Sequence, residues 1–334
     1  MRRPARTVDI CARRTLALAT VAALALSALL AACVDDDAPA ATADRLSVVA
    51  TTTHIADFAR QVAGDRADVT SLLPPNADAH DFEPAPRDVE TVADAGVVLR
   101  HGMDLDDWAT GLISESGTGA AVHVVTDGII PIAGDHDEDD EQHEEDEHDE
   151  DEDDRQHDGD DPHVWFDVAN AKIMVENVRD ALIEADPGER GSYEANAAAY
   201  LVELDELDGW IREQIATIPE ENRKLVTNHD AFGYYVRAYG LEFIGAVIPG
   251  IDAQAQPSAQ HTARLIDLIQ EENVRAIFTE TSINPDLSSR IADEAGVTLV
   301  DDLHGDSLGD ADSGAGTYIE MMRWNTTLIV EALR

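Results

Sequence analysis

From Leu46 onward the chain alternates short β-branched runs with stretches whose apolar positions recur every three or four residues. That alternation predicts a mostly parallel sheet with helices on its faces. Strands are expected at Ser47–Ala50, Val69–Leu72, Val97–Arg100 and Val122–Val125, with helices at Ile55–Val62, Arg87–Ala95 and Leu105–Ile113 between them. Asp167 is placed to cap a helix reaching Ala185, where Asp186-Pro187 stops it. A longer helix is expected from Glu189 to Ile218, because Tyr193, Asn196, Tyr200, Leu204, Leu207, Ile211 and Ile215 follow one helical stripe. At 1.5 Å per residue it would extend roughly 45 Å, enough to bridge two domains. The alternation then resumes, with strands at Leu225–Thr227, Phe243–Val247, Ala276–Thr279 and Thr298–Val300. Helices are expected at Phe232–Tyr239, Ser258–Glu271 and Asp286–Ala295, and from Thr317 to the end. The fold class is therefore α/β: two similar lobes, each a central sheet flanked by helices, joined by one long helix.

Two regions break this pattern. Arginines at 2, 3, 6, 13 and 14 precede an uncharged apolar run from Leu16 to Ala32, which closes in Leu30-Ala31-Ala32-Cys33. This reads as a lipoprotein signal peptide over 1–32, with Cys33 as the lipidated residue and 33–45 as a flexible tether. Arg13-Arg14 is compatible with twin-arginine export as well as with the general secretory route. The second break is 134–161, an acidic segment with 19 Asp or Glu and the histidines His136, His143, His148 and His157, but no aliphatic residue from 135 on. No core can be built from it, so a disordered loop is expected there. The organisation is thus a first lobe over 46–187 containing that loop, a linking helix over 188–218 and a second lobe over 219–334.

Charge narrows the function. With 69 acidic and 23 basic residues the net charge is −46, which excludes a nucleic-acid binder working through phosphate contacts. Without the acidic segment, 50 acidic residues still face 22 basic ones, a surface suited to high salt. Only Cys11 and Cys33 are present, so the exported part has neither a disulfide framework nor a thiolate metal site. No glycine-rich dinucleotide fingerprint or phosphate loop occurs.

The candidate chemistry lies in histidines placed where strands give way to loops. His80 stands in Leu73-Pro74-Pro75-Asn76-Ala77-Asp78-Ala79-His80-Asp81-Phe82-Glu83-Pro84, and His163 in Asp161-Pro162-His163-Val164-Trp165-Phe166-Asp167. His229 stands in Val226-Thr227-Asn228-His229-Asp230-Ala231-Phe232-Gly233, and Asp301 directly ends the strand Thr298-Leu299-Val300. Ligands of open α/β sheets bind outside the carboxyl ends of the strands, and three imidazoles with one carboxylate suit a tetrahedral divalent ion, zinc above all. Taken singly, a histidine in such a place is more often a structural hydrogen-bonding residue than a ligand. Glu280, Asp302 and His304 are nearby alternatives, and His54, His101, His123 and His261 read as ordinary histidines of the fold.

Those motifs, with Glu280-Thr281-Ser282-Ile283-Asn284-Pro285 and the run from Asp301 to Tyr318-Ile319-Glu320-Met321-Met322-Arg323-Trp324-Asn325, span nearly the whole exported chain. In that order they resemble the metal-binding solute-binding lipoproteins of ATP-binding-cassette transporters, particularly those for zinc and manganese. The resemblance implies two lobes joined by one rigid helix and an ion buried in the cleft between them, with His80, His163, His229 and Asp301 as ligands; Glu280, which opens the Pro285 turn, reads as a supporting or structural group. It implies no enzymatic activity, transport of Zn2+ to a membrane permease, and Mn2+ as the alternative cargo. Manganese members generally carry a carboxylate at the position of His229, and some zinc members carry a Glu where this chain has Ala79. The protein is expected as a monomer anchored through Cys33 outside the cytoplasmic membrane, with the four loop histidines as a low-affinity metal-collecting site. Rival readings are a metal-dependent adhesin, and a zinc enzyme using Asp230 or Glu280 as general base.

Overall fold

The computed structural model of the chain describes residues 45–132, 159–250 and 256–334. The export segment, Cys33, and the histidines His136, His143, His148 and His157 lie outside those residues. The first four β-branched runs form β1 (Leu46–Ala50), β2 (Ala67–Ser71), β3 (Val97–Arg100) and β4 (Ala121–Val124), all parallel, in the order β2-β1-β3-β4. A second parallel sheet has β5 (Lys224–Thr227), β6 (Glu242–Ala246), β7 (Ala276–Glu280) and β8 (Thr298–Leu303) in the order β6-β5-β7-β8. Parallel strands need crossovers, and helices supply them on both faces. In the first lobe these are α1 (Thr53–Ala63), α2 (Pro86–Ala93) and α3 (Trp108–Ser116).

As expected, the Asp167 side chain caps α4 (Val168–Ala185), accepting from the Ala169 N–H at 2.8 Å. After a single 3₁₀ turn at Pro187–Glu189, α5 (Arg190–Ile215) runs 26 residues, about 39 Å, and links the lobes. It buries the expected stripe except at Asn196, whose side-chain amide donates to the Val62 carbonyl of α1. The second lobe adds α6 (Gly233–Tyr239), α7 (Ala259–Glu271) and α8 (Asp286–Ala295). The final helix α9 (Tyr318–Leu333) opens with a Thr317/Glu320 capping box and packs back on α5 and α1.

One apolar core runs through both lobes and along α5, while smaller cores fill the far face of each sheet. Phe166 stacks on Phe232 across the lobes at 4.3 Å. The Tyr318 hydroxyl donates to the Trp165 carbonyl at 2.7 Å, and the Leu308 N–H donates to Thr53 Oγ1 at 2.8 Å. Separating the lobes would expose that shared core, so the joint is stiff. No helix of the described residues is long and apolar enough to cross a membrane.

Three expectations are corrected. Helix α3 starts at Trp108, not Leu105, because Met103 and Asp104 take positive φ and the Asp106 carboxylate is spent on the N–H groups of His101 and Gly102. The last strand runs on to Leu303 through a register shift against β7, rather than ending at Val300. The acidic segment, expected to extend through residue 161, gives way to the fold before that point: the Asp161 N–H donates to the Ile132 carbonyl, and its side chain is buried.

Candidate metal centre

Both first-lobe histidines are presented by the same local device, an Asp two residues earlier that accepts the histidine's own backbone N–H. Asp78 does so for His80 at 2.8 Å and Asp161 for His163 at 2.9 Å. Such Asx turns fix a loop without regular secondary structure. Asp161 does more: its Oδ1 also lies 2.7 Å from His163 Nδ1, leaving Nε2 to face the cleft. Behind His163, Trp165 is stacked on His54 at 4.6 Å and meets His101 edge-on, while His101 Nε2 reaches the Pro162 carbonyl at 2.8 Å.

In the second lobe His229 follows β5, the strand at which the sheet order reverses and where open α/β sheets place ligands. The Thr227 hydroxyl donates to the His229 carbonyl at 2.5 Å, and His229 Nδ1 lies 2.9 Å from Oε1 of Glu280, the last residue of β7. Its Nε2 is thereby turned to the cleft.

The structure brings His80, His163 and His229 together, with ligand atoms of these three and Asp306 all within 4.8 Å of one another. Asp306, not Asp301, occupies the fourth corner. Asp301 is exposed on β8, the edge strand of its sheet, where the register shift lets the strand continue past it to Leu303. The carboxylate that enters the cleft comes only after the strand has ended, in His304-Gly305-Asp306. Asp302 is also exposed, and His304, though buried, is not among the four. Sequence reasoning missed Asp306 because the strand was expected to stop too early. It missed Asp161 by counting it among the loop acids, although the repeated Asp-x-His spacing was a usable signal.

The gaps suit one ion. His80 Nε2 lies 3.1 Å from His163 Nε2, and Asp306 Oδ1 lies 3.4 Å from His163 Nε2 and 3.9 Å from His229 Nε2. Tetrahedral bonds of 2.0–2.2 Å put neighbouring ligand atoms about 3.3–3.6 Å apart. His229 Nε2 and both Asp306 oxygens are buried without a hydrogen-bond partner among the described residues, a costly arrangement that a bound cation relieves. His163, His229 and Asp306 are fully buried, whereas His80 is partly exposed.

Burial opposes charge on His163, but the hydrogen bond and charge of Asp161, with Asp306, carry its pKa up to about 10. His229 is likewise raised, Glu280 outweighing burial. Against the effect of burial, His163, His80 and His229 hold Asp306 well below the usual carboxylate range. Burial and Asp306 push Asp78 up to about 6. By contrast, burial drives His54 and His101 down to about 3 and 4, so they stay neutral in the wall behind the site. His123 on β4, and His261 on α7 with its Nε2 at the Ala246 carbonyl, lie outside the cluster.

The family model described as zinc-uptake complex component A, periplasmic (ZnuA) matches residues 48–332. The manganese-binding lipoprotein MntA of Halalkalibacterium halodurans is 32% identical over 289 residues, covering 86% of this chain and 88% of its own. The iron-binding protein YfeA of Yersinia pestis is 32% identical over 318 residues, covering 95% and 96%. The periplasmic zinc-binding protein TroA from Treponema pallidum superposes with a TM-score of 0.75 at 29% identity, covering 86% of this chain and 99% of its own. Proteins of this family bind and hand over a metal and are not enzymes. A match that takes in both lobes and all four clustered residues places the chain in the ZnuA family of metal-binding substrate-binding proteins of ATP-binding-cassette importers.

Proposed function

We propose that the protein captures Zn2+ outside the cytoplasmic membrane through His80, His163, His229 and Asp306 and delivers it to the permease of its importer. The observation that carries this reading is the donor set: three imidazole nitrogens and one carboxylate converging within 4.8 Å of one another. A borderline cation prefers such a set, and four protein ligands leave no open position for the water a hydrolytic zinc enzyme needs. Lipidation at Cys33 with the tether after it holds the monomeric protein at the membrane surface. The loop histidines His136, His143, His148 and His157 with their acidic neighbours collect zinc weakly and raise its local concentration. With the lobes stiffly joined, release comes from movement of the ligand loops when the permease docks. Manganese or iron(II) is the second reading, favoured by the names of the relatives MntA and YfeA. Metal-free protein titrated with zinc, manganese and iron(II) against a competing chelator, with and without residues 135–158, tests both. Tight one-to-one zinc binding that survives the deletion supports zinc as cargo. Stronger binding of manganese or iron transfers the reading to that metal.

A further inference from the structure

Behind the two second-lobe ligands sits a buried carboxylate that touches neither solvent nor the cleft. Glu280 is 1% exposed, with Oε1 at 2.9 Å from His229 Nδ1 as an ion-pair contact, and neither atom has a hydrogen-bond partner elsewhere among the described residues. Its other oxygen is packed against Gly305, the residue before Asp306. A Cβ on Gly305 would stand 1.5 Å from Glu280 Oε2 and 2.3 Å from its Cδ, so not even alanine fits. Gly305 has no left-handed φ, so glycine is needed here for room rather than for conformational freedom. The segment cannot back away, because Asn325 of α9 grips His304 at both ends: its Oδ1 accepts from the backbone N–H at 3.0 Å and its Nδ2 donates to the carbonyl at 2.6 Å.

We propose that Glu280 is a positioning residue that fixes the His229 ring with Nε2 toward the ion, and that Gly305 is the gap allowing this carboxylate to lie between His229 and the backbone that leads into Asp306. The inference rests on the cargo site proposed above. Its test is zinc affinity of the full chain carrying Glu280→Ala, Glu280→Gln or Gly305→Ala, together with a crystal structure of metal-free Glu280→Ala. Loss of an orienting partner behind a ligating histidine costs about 10–100-fold in metal affinity. That loss is expected for Glu280→Ala and Gly305→Ala, whereas Glu280→Gln, whose amide oxygen can still accept from Nδ1–H, retains most of the affinity. The metal-free Glu280→Ala crystal should show the His229 ring turned away from Asp306. Wild-type affinity in Glu280→Ala, equal damage in Glu280→Gln, or an unmoved His229 ring would overturn the positioning role. If the unaltered chain itself bound no zinc, the cargo reading would fail first, while the crystal would still judge the orientation of His229.

Discussion

The two sheets have the same strand order, yet they supply the site from different places. In the second lobe His229 follows the central strand β5 and Asp306 follows the edge strand β8. In the first lobe the position matching His229, after β1, is filled by Thr51, Thr52 and Thr53, of which Thr52 caps α1 and Thr53 begins it, and His80 comes instead from beyond β2. The third strand of each sheet ends at a buried residue outside the four-residue cluster: His101, just after β3, against the Pro162 carbonyl, and Glu280, the last residue of β7, against His229. Topology therefore fixes where the crevice lies, while local turn chemistry decides which loop reaches into it. The first lobe uses Asx turns on loops, and one of its clustered histidines, His80, stays partly exposed. The second lobe uses strand ends braced by a buried carboxylate.

The broadest test of this comparison is whether the lobes are one body. Phe232→Ala removes the ring stacked on Phe166 and should destabilise the metal-free protein by about 3–5 kcal/mol in denaturant unfolding, as for other buried aromatic truncations. A loss below about 1 kcal/mol would mean that the interlobe core contributes little.

The choice between strand ends is tested next. Asp306→Ala should weaken zinc binding by more than the about 100-fold that an outer partner can cost. Asp301→Ala, on the exposed edge, should leave zinc binding unchanged and stability within about 0.5 kcal/mol. The reverse result in a competition titration would restore the strand-end aspartate as ligand.

Asp161→Ala would sharpen the parallel between the lobes. Losing the oxygen that holds both the backbone and the ring of His163, it should lower zinc affinity by about 10–100-fold. An intact affinity would show that the first-lobe turn is dispensable. For selectivity, His229→Glu should shift preference toward manganese by replacing an imidazole with a hard oxygen. An unchanged ratio of zinc to manganese affinity would remove the third ligand from the account.

The smallest effect expected is protonic. With its pKa at about 10, His163 carries a proton at pH 7 in the metal-free protein, and the ion must displace it. Calorimetry in buffers of different ionisation enthalpy should therefore show proton release on zinc binding, with affinity falling about tenfold per pH unit for each proton displaced. In the metal-free protein the same raised pKa contributes stability that is complete below about pH 6.5 and fades as pH climbs toward 10. Binding without proton release would mean that His163 is already neutral in the metal-free protein, with Nδ1–H on Asp161 and Nε2 bare.

The sequence by itself determined the two α/β lobes, the long linking helix and three of the four clustered residues. Periodicity reports which face of an element is buried, and a histidine at a strand-to-loop junction is visible without coordinates. The stripe from Tyr193 to Ile215 and the Asp167 cap were legible for that reason. What only the tertiary structure decided was the fourth corner and the supports behind it. A one-residue register shift on an edge strand carries no compositional mark, yet it leaves Asp301 at the exposed edge and lets the chain run on to Asp306. Nor can spacing show that Gly305 must lack a side chain because a carboxylate from the neighbouring strand occupies the room, or that Asp161 belongs to the fold rather than to the acidic run before it. Those facts depend on distances between residues far apart in the chain, which packing alone sets.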